Sequence, residues 1–307
     1  MIPIVQLEFV MHSEYPLDLG ANPGSSLRGA LYETLAVMYD TGDPVRSRHD
    51  TETNLVAWLL RLEDAEKTGG KDAPRPVTLR PPQRGSEDEQ AFTLALYGRA
   101  IAAAGLLVSA VAAMGQIGVG RERKHHKFKL GEVRATDPLT RQTTVILDAH
   151  GEQIAALPTP PSAETYANFA QMLATEQVTL RFITPTRIVD HGALCRQPAF
   201  RPLFQRLIER IRQISDLYAE PVWVPFRDLL EVAEAVRLTS DRTRWQELWS
   251  HSRIEGMSKP MSGYVGEAVY AGDLTALLPY LLVGQALQVG KNAIKGAGWF
   301  EVVYRWR

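Results

Sequence analysis

The chain has 307 residues, 45% apolar and 22% charged, enough for two cores of ordinary size. Its formal net charge is −1, so the total points to no polyanion. A single cysteine, Cys195, excludes an intramolecular disulfide and a cysteine-rich zinc scaffold, and suits a reducing, cytoplasmic setting.

The N-terminus has no basic segment ahead of its apolar residues and no small-residue cleavage site, so no secretory leader is expected. Residues 4–12 (IVQLEFVMH) alternate and predict a strand. After NPGSS, Leu27, Leu31, Leu35 and Met38 fall on one helical face, predicting a helix over 27–40. Ser25 or Ser26 is its expected N-cap, and Gly42 with Pro44 its stop. Residues 41–75 are polar and read as loop with a short helix at NLVAWLLRL. Strands are expected at 77–82 and 91–98. Residues 100–120 carry no charge and are long enough on paper to span a bilayer. Alanine and glycine dominate them, however, so a buried helix ending near Gly115 is expected and no membrane span. A strand at 127–134 follows.

The proline-rich stretch 156–165 (ALPTPPSAET) separates a first unit, 1–157, from a second, 163–307. In the second, 178–188 predicts a strand. Phe200, Leu203, Phe204, Leu207, Ile211, Ile214 and Leu217 recur at helical spacing and predict a helix over 199–218. Residues 231–240 and 243–251 read as strands, and 264–272 as another. DLTALLPYLLVGQALQVG holds an apolar helix, and 299–306 a final strand. Each half thus reads strand–helix–strand–strand–helix–strand. The expected fold is α+β, with tandem ferredoxin-like (RRM-like, βαββαβ) domains.

In both halves a glycine-bounded basic loop joins the last helix to the last strand. In the second half it is VGKNAIKGAGWF, with Gly290, Gly296 and Gly298 around Lys291 and Lys295. In the first it includes Arg121, Arg123 and Lys124. Glycine lets backbone approach backbone, or backbone approach a phosphate. Exposed amides with lysines between them suit phosphate oxygens. No GKS or GKT follows, and the loop leaves a helix to enter a strand, so it is neither a Walker A loop nor a dinucleotide fingerprint. The alternative is a turn that only packs the last helix on the sheet; both readings stay open.

The stretch SGYVGEAVYAGDLTALLPYLLVGQALQVGKNAIKGAGWFEVVY resembles the C-terminal half of the CRISPR-associated repeat-RNA (pre-crRNA) processing endoribonucleases of the RAMP superfamily. The closing Gly-Ala-Gly at 296–298, with Lys291 and Lys295 upstream, is similar to that family's glycine-rich loop. FITPTRI with FRPLFQRLIERIRQI, and in the first half LRGALYETL and FTLALYG with MGQIGVGRERKHHKFKLGEV, resemble further blocks. Residues 41–75 match little.

The resemblance implies a metal-independent endoribonuclease without cofactors. It would cut CRISPR repeat RNA through the 2′-hydroxyl beside the scissile phosphate, leaving a 2′,3′-cyclic phosphate and a 5′-hydroxyl. It implies RNA contacts from Gly290, Lys291, Lys295, Gly296, Gly298, Arg121, Arg123 and Lys124. It places the catalytic acid or base on or just behind the first helix. There His49, flanked by Arg46 and Arg48, is the candidate, with Tyr32 and Tyr39 positioning the 2′-hydroxyl and His126 and His191 in reserve. The implied partners are repeat RNA and subunits of a CRISPR effector complex; the expected state is monomer or homodimer. The alternatives are a non-catalytic RAMP subunit that holds guide RNA, and a protein–protein module without RNA affinity.

Charge is divided along the chain. Residues 1–100 hold 10 basic and 15 acidic side chains, 121–134 hold 6 and 2, and 181–216 hold 7 and 3. Local basic segments, not the average, meet a phosphate backbone. On the 199–218 helix, Arg206, Arg210 and Arg212 read as a solvated face. Arg28, in the first turn of its helix, reads as a structural ion pair ahead of a phosphate contact. His125 and His126 are adjacent on an extended segment and point to opposite faces, so no metal site is expected.

Overall fold

The structure is a computed structural model that describes residues 2–38, 74–82, 90–120, 125–251 and 258–306. The first half opens with β1 (Ile4–His12) and α1 (Pro23–Met38). The cap of α1 is not Ser25 or Ser26. Pro23 occupies the first helical position, where its missing N–H costs nothing, and the Asn22 side-chain oxygen accepts from the Ser25 amide at 3.2 Å. The Ser26 hydroxyl instead donates to the Leu19 carbonyl at 2.7 Å.

Strands β2 (Val77–Arg80) and β3 (Gln90–Tyr97) follow, then a 3-10 segment over Gly98–Ala103 and α2 (Ala104–Ile117). The uncharged stretch is a helix whose Leu107, Ala110, Val111 and Met114 bury against the sheet. It runs past Gly115 to Ile117. A Cβ on Gly115 would lie 3.0 Å from the Phe128 ring, so that glycine serves close packing, while Gly118 (φ 94°) ends the helix. β4 (Lys129–Thr136) and β5 (Thr143–Leu147) complete an antiparallel sheet of order β2-β3-β1-β4-β5. Phe9 and Phe92 stack at 5.2 Å in its core. β5 has no counterpart in the sequence reading.

Also unforeseen is α3 (Ala163–Gln171), opened by a capping box between Ser162 and Thr165. The second half then has β6 (Gln177–Thr186), a hairpin of β7 (Ile188–Asp190) and β8 (Ala193–Cys195), and α4 (Phe200–Tyr218). After α4, the expected strand over 231–240 gives way to α5 (Phe226–Glu234), because Leu229 and Ala233 bury at helical spacing. The strand proper, β9, is Arg237–Gln246. The expected strand over 243–251 is therefore divided between β9 and β10 (Trp249–His251), which forms a hairpin with β11 (Ser258–Pro260). β12 (Gly263–Ala271), α6 (Leu278–Leu287) and β13 (Phe300–Val303) close the chain.

The second sheet runs β13-β6-β12-β9, all antiparallel. In both sheets the four strands of the βαββαβ unit stand in the order fourth–first–third–second, with β5 added outside β4 in the first. The fold is a tandem of ferredoxin-like units. On the side of the second sheet away from its helices, Glu301, Arg181, Glu267 and Arg242 are neighbours across the four strands. Arg181 and Glu267 form an ion pair at 2.8 Å. The charges alternate in sign across that face. The two halves share a core: Ile2, Ile4, Ala95, Tyr97 and Leu139 pack into the cluster built by α4, α6 and β6.

Candidate functional site

Buried hydrogen bonds join the halves where β2 and β3 meet α6 and β13. The Tyr97 hydroxyl donates to the Ala286 carbonyl at 3.0 Å and is bonded to Thr78. Gln288 donates to the Leu79 carbonyl at 3.0 Å. Arg141, on the β4–β5 turn, reaches the Gln285 side-chain oxygen and the Val302 carbonyl, both at 3.0 Å. Arg80 donates to Gln6 at 3.3 Å and to the Gln285 carbonyl, and its guanidinium lies 4.7 Å over the Trp299 ring. Burial pulls the Arg80 pKa down to about 10, with Tyr97 and Glu301 opposing. These bonds fix the second half's last helix and strand, and so both ends of the glycine loop between them.

Gly290, Gly296 and Gly298 all have positive φ (84°, 86° and 76°). Their missing side chains make room for protein. A Cβ on Gly296 would sit 2.8 Å from Pro81 Cδ, one on Gly298 would strike the Val289 carbonyl, and one on Gly290 the Arg187 carbonyl. Across the seam, Gly24 of α1 rests on the Lys295 carbonyl in the same manner. The loop amides at Lys291, Lys295, Gly296, Ala297 and Gly298 donate to the Arg187, Asn292, Ala293, Asn292 and Pro185 carbonyls respectively. The expectation of exposed amides aimed at a phosphate is therefore corrected for these five. They close the turn, which leaves the two lysine side chains as the loop's charged groups. The lysines differ. Lys295 Nζ donates to the Ser250 hydroxyl at 3.2 Å, itself 3.3 Å from the Ser25 hydroxyl of α1. Lys291 is exposed.

About one turn along α1 from Gly24, Arg28 lies 4.8 Å over the Tyr32 ring. Burial raises the Tyr32 pKa, and the nearby Arg28 and Arg75 hold it back; burial also lowers that of Arg28. The Tyr218 hydroxyl donates to the Pro74 carbonyl at 2.7 Å, and burial pushes its pKa up to about 12. Arg75, Arg99 and Arg210 surround Tyr218 electrostatically, and Tyr32 is its neighbour. The seam therefore gathers neutral phenols among guanidinium groups. At neutral pH Tyr32 keeps its proton and is able to donate a hydrogen bond.

His49, Tyr39, Arg121, Arg123 and Lys124 lie outside the described residues. Of the reserve histidines, His126 Nδ1 accepts from the Asp18 amide at 3.4 Å, and His191 is exposed on the β7–β8 turn. Among the described residues no cluster of three or more His, Cys, Asp or Glu is placed to hold a metal.

The solvated face expected of α4 is also corrected. Arg206 pairs with Asp190 at 3.6 Å and with Glu209 at 2.5 Å. Arg210 donates to the Leu287 carbonyl at 2.8 Å and faces Tyr97 electrostatically across the seam. Only Arg212 is exposed. Sequence reasoning missed Arg80, Arg187 and Arg210 as seam residues. The four-residue spacing of Arg206 and Arg210 was the one local signal for a shared face.

Two ferredoxin-like units joined through a basic, glycine-bounded loop define a RAMP-type RNA-binding architecture. The family model AF_1859_N, an N-terminal domain, matches residues 2–159, and the model of the CRISPR-associated endoribonuclease Cas6 matches residues 180–300. The chain is a CRISPR RNA-processing protein of Cas6/RAMP type, with its Cas6 endoribonuclease match in the second half. Among solved structures it is similar to a Cas6 (TTHB231) product complex, at 16% identity and TM-score 0.63, over 98% of this chain and 99% of that one. It is also similar to Thermus thermophilus Cas6 (TTHB231), at 17% identity and TM-score 0.57, over 99% of each chain. A partial Cas6-RT-Cas1–Cas2 complex matches at 11% identity and TM-score 0.58, over 99% of this chain and 46% of that one. At these identities the likeness is one of fold. No curated protein matches the chain.

Proposed function

We propose that the protein cuts CRISPR repeat RNA without a metal, once per repeat, in the reducing cytoplasm. The nucleophile is the 2′-hydroxyl beside the scissile phosphate, already tethered near its target, so alignment supplies much of the rate. The 2′-oxygen forms its bond to phosphorus as the 5′-oxygen leaves. A base takes the 2′-proton and an acid returns one to the 5′-oxygen. The products are a 2′,3′-cyclic phosphate and a 5′-hydroxyl.

The observation that carries this reading is the seating of α1. Gly24, at its start, docks on the loop that carries Lys291 and Lys295, so Tyr32 and the lysines come from opposite halves to one seam. His49, close behind α1 in sequence, takes the proton-transfer role. Tyr32 and Tyr39 orient the 2′-hydroxyl, and the seam's cations offset charge on phosphorus. Arg121, Arg123 and Lys124 extend the phosphate path, and subunits of a CRISPR complex are the protein partners.

The test is incubation with repeat RNA in EDTA, beside RNA carrying one 2′-deoxy nucleotide at the cut. Cleavage should persist in EDTA and stop at the 2′-deoxy position. His49→Ala should slow it by about 10²–10⁴-fold. Cleavage restored only by Mg²⁺ refutes the mechanism, and tight binding with no cleavage under any condition assigns the chain to guide holding.

A further inference from the structure

We propose that a cavity between α4, the β7–β8 hairpin and the glycine loop is a phosphate subsite that grips one backbone phosphate of the RNA. The proposal rests on the chain's being an RNA-binding protein and adds to the glycine loop side chains of α4 and the β7–β8 hairpin that no sequence motif marks.

The cavity has a volume of about 400 Å³. Arg187, His191, Arg206, Arg210 and Lys291 line it, and Glu209 is the one carboxylate of the lining. Arg206 is matched by its pairs with Asp190 and Glu209. The other two guanidinium groups are held in place without being neutralised. Arg187 donates to the Ser262 carbonyl at 3.2 Å, and Arg210 to the Leu287 carbonyl. A carbonyl fixes a cation's position but leaves its charge available to an anion. The Lys291 ammonium has no acidic partner among the described residues. Three cations therefore converge on one hollow without an ion pair among the described residues, Glu247 acting on Arg187 only through space.

The backbone is shaped to keep the hollow open. Gly290 brings the loop onto the Arg187 carbonyl, which also accepts the Lys291 amide at 3.2 Å, and Lys291 leaves the loop at that point. On the opposite rim, His191 and Gly192 both have positive φ (46° and 82°) and form a two-residue turn between the paired Asp190 and Ala193. That turn sets the imidazole at the cavity wall.

Among the described residues no Phe, Tyr or Trp lines the cavity, and cations outnumber every other kind of polar group in it. Recognition there is by charge. The ligand chemistry is a phosphate, and the subsite tolerates any nucleotide sequence.

Gln213 lines the same cavity from α4 and belongs to neither the catalytic groups nor the glycine loop. Gln213→Glu and Gln213→Lys place opposite charges there. Anisotropy with labelled repeat RNA across a salt series should show Gln213→Glu weakening binding about five- to tenfold and Gln213→Lys tightening it. The salt slope should shift by about 0.7–0.9 in opposite directions. Cleavage at saturating RNA should stay within about twofold of wild type, and melting curves report folding.

Equal affinities for all three proteins overturn the subsite. Variants that change competition by inorganic phosphate but not RNA affinity make the cavity a site for free phosphate and overturn the assignment to RNA. A wild-type protein with no salt-dependent RNA affinity overturns the RNA reading itself, an outcome distinct from the other two.

Discussion

Two glycines of α1 give a paired test of how the halves meet. Gly24 and Gly29 sit in one helix, and neither has a positive φ. Alanine in a helix interior is favoured over glycine by about 0.8–1.0 kcal/mol, so helix propensity alone would stabilise both substitutions. Their surroundings separate them. A Cβ at Gly29 meets nothing within 4 Å. A Cβ at Gly24 lies 2.8 Å from the Lys295 carbonyl carbon, closer still to its oxygen, and 3.3 Å from Gly296 Cα. These are backbone atoms, which cannot rotate away. The helix and the loop must separate by about 1 Å, and overpacking of that kind costs about 1–3 kcal/mol. Gly29→Ala should therefore stabilise by up to ~1 kcal/mol, while Gly24→Ala should destabilise by about 1–2 kcal/mol after the propensity gain. Denaturant unfolding at constant slope measures both. Stabilisation by Gly24→Ala would show that the glycine loop does not rest on α1, and would remove the seam on which the catalytic reading depends.

Two further outcomes are expected. Arg80→Lys replaces a planar fork, bonded to Gln6 and Gln285 and stacked on Trp299, with a point charge that cannot make the same contacts. It should cost about 2–4 kcal/mol in urea unfolding, and a loss below about 0.5 kcal/mol would refute Arg80's part in the seam. Alkaline pH should loosen the same seam. The folded Tyr218 phenol keeps its proton to about pH 12, against 10.0 for an ordinary tyrosine, so between those values the unfolded chain binds fewer protons than the folded one. Stability then falls as pH rises from about 10 to about 12, by up to ~1.4 kcal/mol per unit from this group, and is unaffected by it below. Tyr218→Phe should remove that component of the profile; an unchanged profile refutes the assignment.

The elements that bury one face were legible in the sequence. The apolar stripe of α4 marked nearly its full length, because a helix that hides one face writes its period into the chain. β1 is buried on both faces, and was marked by its run of apolar residues, broken only at Gln6 and Glu8. β5 is a short edge strand with two exposed threonines and carries no such period. α3 turns inward only Tyr166 and Ala170, and a proline-rich stretch runs up to its cap. Around 231–240 the alanine, valine and glutamate sequence fits either period, and burial of Leu229 and Ala233 decides for helix. At the site, the glycine loop was visible as a string of residue types. What its glycines touch was not, because Pro81, Arg187 and the N-terminal end of α1 reach it from far along the chain. Arg80 and Arg210 were hidden for the same reason: neither has a local pattern, only a distant carbonyl.

The shared core bears on the order in which the protein is made. The first sheet leaves the ribosome with Ile2, Ile4, Ala95, Tyr97 and Leu139 facing nothing. Their cover includes α6 and β13, the last helix and the last strand, so the newborn first half carries an open apolar patch until synthesis is nearly complete. Translation that stops before α6 should leave a sticky fragment, not a smaller working domain.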